Sequence, residues 1–86
     1  MEFERVRVIG KKINLVVFKI WEEDKKIMFN AIGLLADDYT GECEEVMRTK
    51  PEELDATTKY QAKSKIKDYL ESINELFGIR LTEKDL

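Results

Sequence analysis

Residues 51–78, PEELDATTKYQAKSKIKDYLESINELFG, carry one long amphipathic pattern, and its reading decides the fold. Leu54, Ala62, Ile66, Tyr69, Leu70, Ile73, Leu76 and Phe77 recur at spacings of three, four and seven. Residues spaced in this way share one face of an α-helix, so the pattern predicts a helix over 51–78 whose apolar stripe must be buried.

The ends of this stretch carry their own signals, because a helix leaves unpaired amides at its start and unpaired carbonyls at its finish. Thr49 and Glu52 have capping-box spacing, and Pro51 suits a first turn in which its missing N–H costs nothing. Asp55 is a competing N-cap, since Thr57 and Thr58 are weak helix formers that mark a break after a single turn. At the finish, Gly78 can take the left-handed conformation that folds Ile79 back toward Ile73.

Everything before this helix reads as strands. Val6 and Val8 alternate with Arg5 and Arg7, and 13–21 is a dense run of β-branched and aromatic residues. The alternation predicts strands over 3–9, 13–21, 27–35 and 39–48. Gly10 and Lys11 have the chemistry of a tight type II′ hairpin, and Glu22 to Lys25 make a charged turn. The last strand is the weakest signal, because ECEEVM also fits a helical turn. Only Leu81 and Leu86 anchor the tail, residues 79–86, which is expected to fray at its end.

Four strands joined by short turns and followed by a long helix give an α+β fold, ββββα. A four-stranded antiparallel meander sheet is packed on one face by the C-terminal helix. The element order is similar to that of single-strand-binding folds built from a sheet and one helix, a likeness of order alone. With 86 residues, 43% hydrophobic and 38% charged, the chain is read as one domain, 1–86. Both faces of the sheet look apolar. Leu15, Val17 and Trp21 oppose Val16, Phe18 and Ile20, and Ile27 and Phe29 oppose Met28 and Ile32. One helix covers one face, so a homodimer is expected, either on the face opposite Ile66 and Ile73 or along an exposed edge strand.

The composition excludes much chemistry. With no histidine and one cysteine, Cys43, the chain cannot build Ser/His/Asp or Cys/His triads, histidine zinc sites, or an internal disulfide. Its four glycines form neither GxxxxGK[ST] nor GxGxxG. The acidic group Asp37, Asp38, Glu42, Glu44 and Glu45 lacks the spacing of a calcium loop and reads as solvated surface. No catalytic residue, metal ligand or cofactor is therefore expected. No apolar run matches a membrane helix or a signal peptide, which points to a cytoplasmic protein.

Charge supplies the candidate sites. The net charge of −3 is uneven: residues 1–35 hold seven Lys/Arg and five Asp/Glu, residues 36–58 two and eight, residues 59–86 six and five. On the predicted helix, Lys59, Lys63, Lys67, Glu71 and Glu75 repeat every four residues as a row, a candidate protein-binding surface. A second set, Arg5, Arg7, Lys11, Lys12, Lys19 and Trp21 with Phe18 and Phe29, has the mixture of cations and aromatics that holds single-stranded nucleic acid. The composite expectation is a small acidic, non-catalytic interaction or regulatory module that occludes or bridges a protein partner and self-associates. A nucleic-acid-mimicking inhibitor is one form of it. The alternative is single-stranded nucleic-acid binding through the sheet face.

Overall fold

The computed structural model describes residues 2–86, with the side chains of Glu2, Phe3, Glu4 and Lys59 outside the described set. Its centre is the antiparallel pair β2 (Leu15–Glu23) and β3 (Lys26–Ala36), which run in unbroken register from Leu15↔Leu34 to Glu23↔Lys26. The β-branched and aromatic residues that marked these strands alternate between the two faces of the sheet. Asp24 and Lys25 join them with φ of 50° and 64°, the backbone of a type I′ turn. Lys25 sits where glycine is preferred. Lys25→Gly should therefore raise stability by about 1 kcal/mol, read as a higher midpoint in thermal unfolding.

β1 (Glu2–Arg7) pairs with β2, and β4 (Cys43–Arg48) pairs with the far half of β3, so the first four strands lie in meander order. Three sequence expectations need correction. The Gly10–Lys11 hairpin is absent: a loop from Val8 to Asn14 joins β1 to β2, and Gly10 has no positive φ. Asn14 closes that loop by acting as a piece of backbone. Its Nδ2 donates to the Ala36 carbonyl (2.9 Å) while its Oδ1 accepts from the Ala36 amide (2.8 Å). The fourth strand begins at Cys43 rather than Tyr39, because residues 37–42 form a turn. In that turn Asp37 Oδ1 accepts from the Tyr39 amide (2.8 Å), and Gly41 takes a φ of 76°.

The third correction concerns the helix start. Glu52–Leu54 is a short strand, β5, paired with Ile27–Phe29, and the helix begins only at Lys59. β4 occupies only half of the long β3 edge. The other half would expose unpaired backbone groups, and β5 satisfies them. Between the two, Thr49 bridges the gap: its amide donates to the Ala31 carbonyl and its hydroxyl accepts from the Ala31 amide, each at 2.9 Å. Pro51 thus interrupts an edge strand, where a missing N–H is tolerated, and is not the first residue of a helix. The true N-cap is Thr58, whose side chain accepts from the Gln61 amide.

The helix runs as α1 (Lys59–Ile66), a 3₁₀ turn (Lys67–Tyr69) and α2 (Leu70–Phe77). Ala62, Ile66, Leu70, Ile73 and Phe77 are buried against Val16, Phe18, Ile20 and Phe29, as the stripe required. Leu54 joins the same core from β5, Tyr69 packs at its border with its ring 5.0 Å from Phe29, and Leu76 is exposed. Gly78 takes the expected left-handed C-cap, φ 67° and ψ 40°, and Ile79 folds back into the core. The tail is anchored more firmly than expected. Asn74 donates to the Leu81 carbonyl (2.9 Å) and accepts from its amide (2.7 Å), Leu81 is buried, and Thr82 with Asp85 caps a last 3₁₀ turn.

Candidate functional site

The helix and the tail lie on the face of the sheet formed by Val16, Phe18 and Ile20. Among the described residues no second layer of helix or strand covers the other face. The register places its side chains in rows across the strands. Arg5, Val17, Ile32 and Arg48 form one row, and Arg7, Leu15, Leu34 and Glu45 the next. Toward the β2–β3 turn come Lys19 beside Asn30, then Trp21 beside Met28. With strands about 4.8 Å apart, Arg5 and Arg48 stand about 14 Å from each other at their Cα atoms.

Leu15, Val17 and Ile32 are only 6%, 3% and 5% exposed although no layer lies above them. Neighbouring side chains must roof them. The stems of Arg5 and Arg48, at the two ends of their row, are long and apolar enough to do so while keeping their charged heads in water. At the other end the 37–42 turn folds toward Leu15, where Asp38 pairs with Arg7 at 3.2 Å, and a shallow hollow lies between Arg5, Leu15, Gly41 and Cys43. The apolar surplus expected on this face is therefore smaller than the sequence implied.

The charges on this face are organised. Arg48 grips Glu45 through both carboxylate oxygens, with Nε to Oε2 at 2.9 Å and Nη2 on Oε1. The hydrogen bond from Arg48 holds the Glu45 carboxyl below the usual carboxylate range, with the charges of Arg48 and of Lys19 adding to the effect. Its folded value lies below its unfolded one, so the pair's contribution is present at neutral pH and is lost as pH falls through the depressed value. Asn30, 5% exposed, carries a buried Oδ1 with no hydrogen-bond partner among the described residues.

The sequence-derived sites fare unequally. Arg5, Arg7, Lys19 and Trp21 do fall on one face, as the strand period required. Lys11 and Lys12 sit in the exposed β1–β2 loop, apart from the strand ladder. Phe18 and Phe29 are 0% and 1% exposed in the core beneath the helix, so they offer no stacking platform, and that part of the set is corrected. Among the helix residues, Lys63, Lys67, Glu71 and Glu75 are exposed, while the Lys59 side chain lies outside the described residues. Lys59 and Lys63 lie on α1, Lys67 opens the 3₁₀ turn, and Glu71 and Glu75 lie on α2, and among the described residues no ion pair joins Lys67 to Glu71. Arg48 and Asn30 were missed. No spacing marked the first, since residues three apart in a strand face opposite ways and only the irregularity between Gly33 and Leu34 brings Glu45 and Arg48 to one face; a lone amide inside an apolar strand was the available signal for the second.

The acidic group does not converge on one point: Asp37 caps its own turn, Asp38 meets Arg7 and Glu45 meets Arg48. Among the described residues no cluster of three acidic or cysteine side chains could hold a metal ion, and no helix is long and apolar enough to cross a membrane. No protein-family model, curated protein or solved structure matches the chain.

Proposed function

We propose that this protein is a non-catalytic interaction module that occludes or bridges a protein partner through the sheet face its helix leaves uncovered. The observation that carries this reading is the grouping on one face of Arg5, Lys19 and Arg48 with the half-buried Trp21 and Met28, on a sheet side that no second layer of described residues covers. Arginine, tryptophan and methionine are enriched in protein interfaces. The module works in the cytoplasm, where an exposed thiol such as Cys43 stays reduced.

It also self-associates, along the outer edge of β1, which among the described residues pairs with β2 alone. An edge strand can pair with its own copy about a two-fold axis. Light scattering should report a dimer, and a monomer at high micromolar concentration would remove this part of the reading.

The partner surface is tested by capture from a lysate with three forms of the protein. A partner held by the native chain should be lost from Lys19→Glu/Arg48→Glu and kept by Lys63→Glu/Lys67→Glu, all three showing native melting. The reverse pattern would move the function to the helix row. Single-stranded nucleic acid is the second reading, favoured by the shared face of Arg5, Arg7, Lys19 and Trp21. It predicts tight, salt-dependent binding of an oligonucleotide that Arg5→Ala/Arg7→Ala weakens.

A further inference from the structure

We infer that the uncovered face binds an acidic, extended segment of a partner protein, with Lys19 and Arg48 holding its carboxylates and Asn30 accepting a hydrogen bond from it. This deepens the proposed reading of that face and rests on it. The protein itself shows that a carboxylate fits there: Glu45 sits in the fork of Arg48 and within the field of Lys19. Both partners of that pair are substantially exposed, at 55% and 41%, so the internal carboxylate can be exchanged for an external one at little cost.

Asn30 is the independent sign of a ligand. Its neighbours in sequence, Phe29 and Ala31, point into the core beneath the helix, so its side chain lies on the opposite face, across from Lys19. A buried acceptor without a donor destabilises a fold, and a leucine of similar size would not. An extended polypeptide supplies the missing donor from its own amides once the side chains that cover Asn30 are drawn aside. It also presents alternate side chains on one side about 6.8 Å apart, so its carboxylates can reach both Lys19 and Arg48, which stand roughly 12 Å apart, two strands across and two residues along.

Other occupants fit less well. Among the described side chains Trp21 is the one aromatic paired into these rows, which is little stacking surface for a nucleic-acid strand. A second copy laid face to face would bring the cationic centre onto itself.

The test uses fluorescence anisotropy with a dye-labelled peptide bearing glutamate at alternate positions, its glutamine counterpart, and a labelled oligothymidylate. The glutamate peptide should bind and the glutamine peptide should not. Arg48→Gln should weaken binding about tenfold, the scale of one lost charged hydrogen bond. Glu45→Gln should tighten it several-fold by freeing Arg48. Asn30→Leu should raise the melting temperature while weakening the peptide several-fold. Tighter binding of the oligothymidylate than of the glutamate peptide, unchanged affinity in Arg48→Gln, or no gain in Glu45→Gln would each overturn the inference. Those two substitutions are at exposed side chains, so they decide the matter even where Asn30→Leu does not fold. A captured partner lost from the Lys19→Glu/Arg48→Glu protein, together with failure of the acidic peptide, would leave the face assigned and this ligand class refuted.

Discussion

Ile66→Ala is expected to cost about 2–5 kcal/mol, a large share of the roughly 4–13 kcal/mol that a domain of this size holds in total. Ile66 is fully buried, at 0% exposed, and sits where α1 meets the 3₁₀ turn above the sheet. Truncation there removes apolar contacts and leaves a cavity that two rigid layers cannot close. Ile73→Ala, one layer further along the stripe at 2% exposed, should behave in the same way. Thermal and denaturant unfolding would check both. An unchanged midpoint for either would contradict a helix packed on this sheet.

Gly33→Ala should be the next most damaging change, at about 1–3 kcal/mol. A Cβ built at Gly33 would lie 2.5 Å from Ile13 Cδ1 and 3.1 Å from its Cγ1, and Ile13 is itself fully buried. Gly33 is the seat of Ile13, which carries the β1–β2 loop down onto the sheet. The cost should therefore depend on Ile13. Ile13→Val alone removes one methyl and loses about 0.5–1.5 kcal/mol, but in the Gly33→Ala background it removes the clashing atom. The double variant should be more stable than the sum of the single effects implies, a coupling that a double-mutant cycle measures directly. Strict additivity would show that the two residues do not share this space.

Why some of this fold was legible in the sequence and some was not follows from the range of the interactions involved. β2 and β3 were readable because their β-branched and aromatic runs act locally, and Gly78 was readable because only a left-handed residue ends a helix in that way. The helix start was misread because Thr49, Pro51 and Glu52 carry a genuine local helix signal that a distant event overrides. β4 leaves half of β3 unpaired, and β5 forms to fill it. The β1–β2 hairpin was misread for a related reason, since Asn14 ties the connecting loop to the end of β3 through its side chain and no pattern announces this.

The candidate site was half legible. Period-two alternation sufficed to put Arg5 with Arg7 on one face, while the fate of Phe18 and Phe29 depended on which face the helix chose. Arg48 reaches the site only because a register irregularity between Gly33 and Leu34 sets the pairing of β4.

Trp21 allows the most direct test of the claim that this face is the working surface. It is the chain's single tryptophan, half-buried on the uncovered face beside Met28. Its emission should be followed while a captured partner is titrated, with complex formation verified independently by mass. A blue shift and protection from acrylamide quenching are predicted, because the partner would replace water over the ring. Unchanged emission and quenching in a complex of verified mass would contradict the account and place the partner elsewhere on the protein.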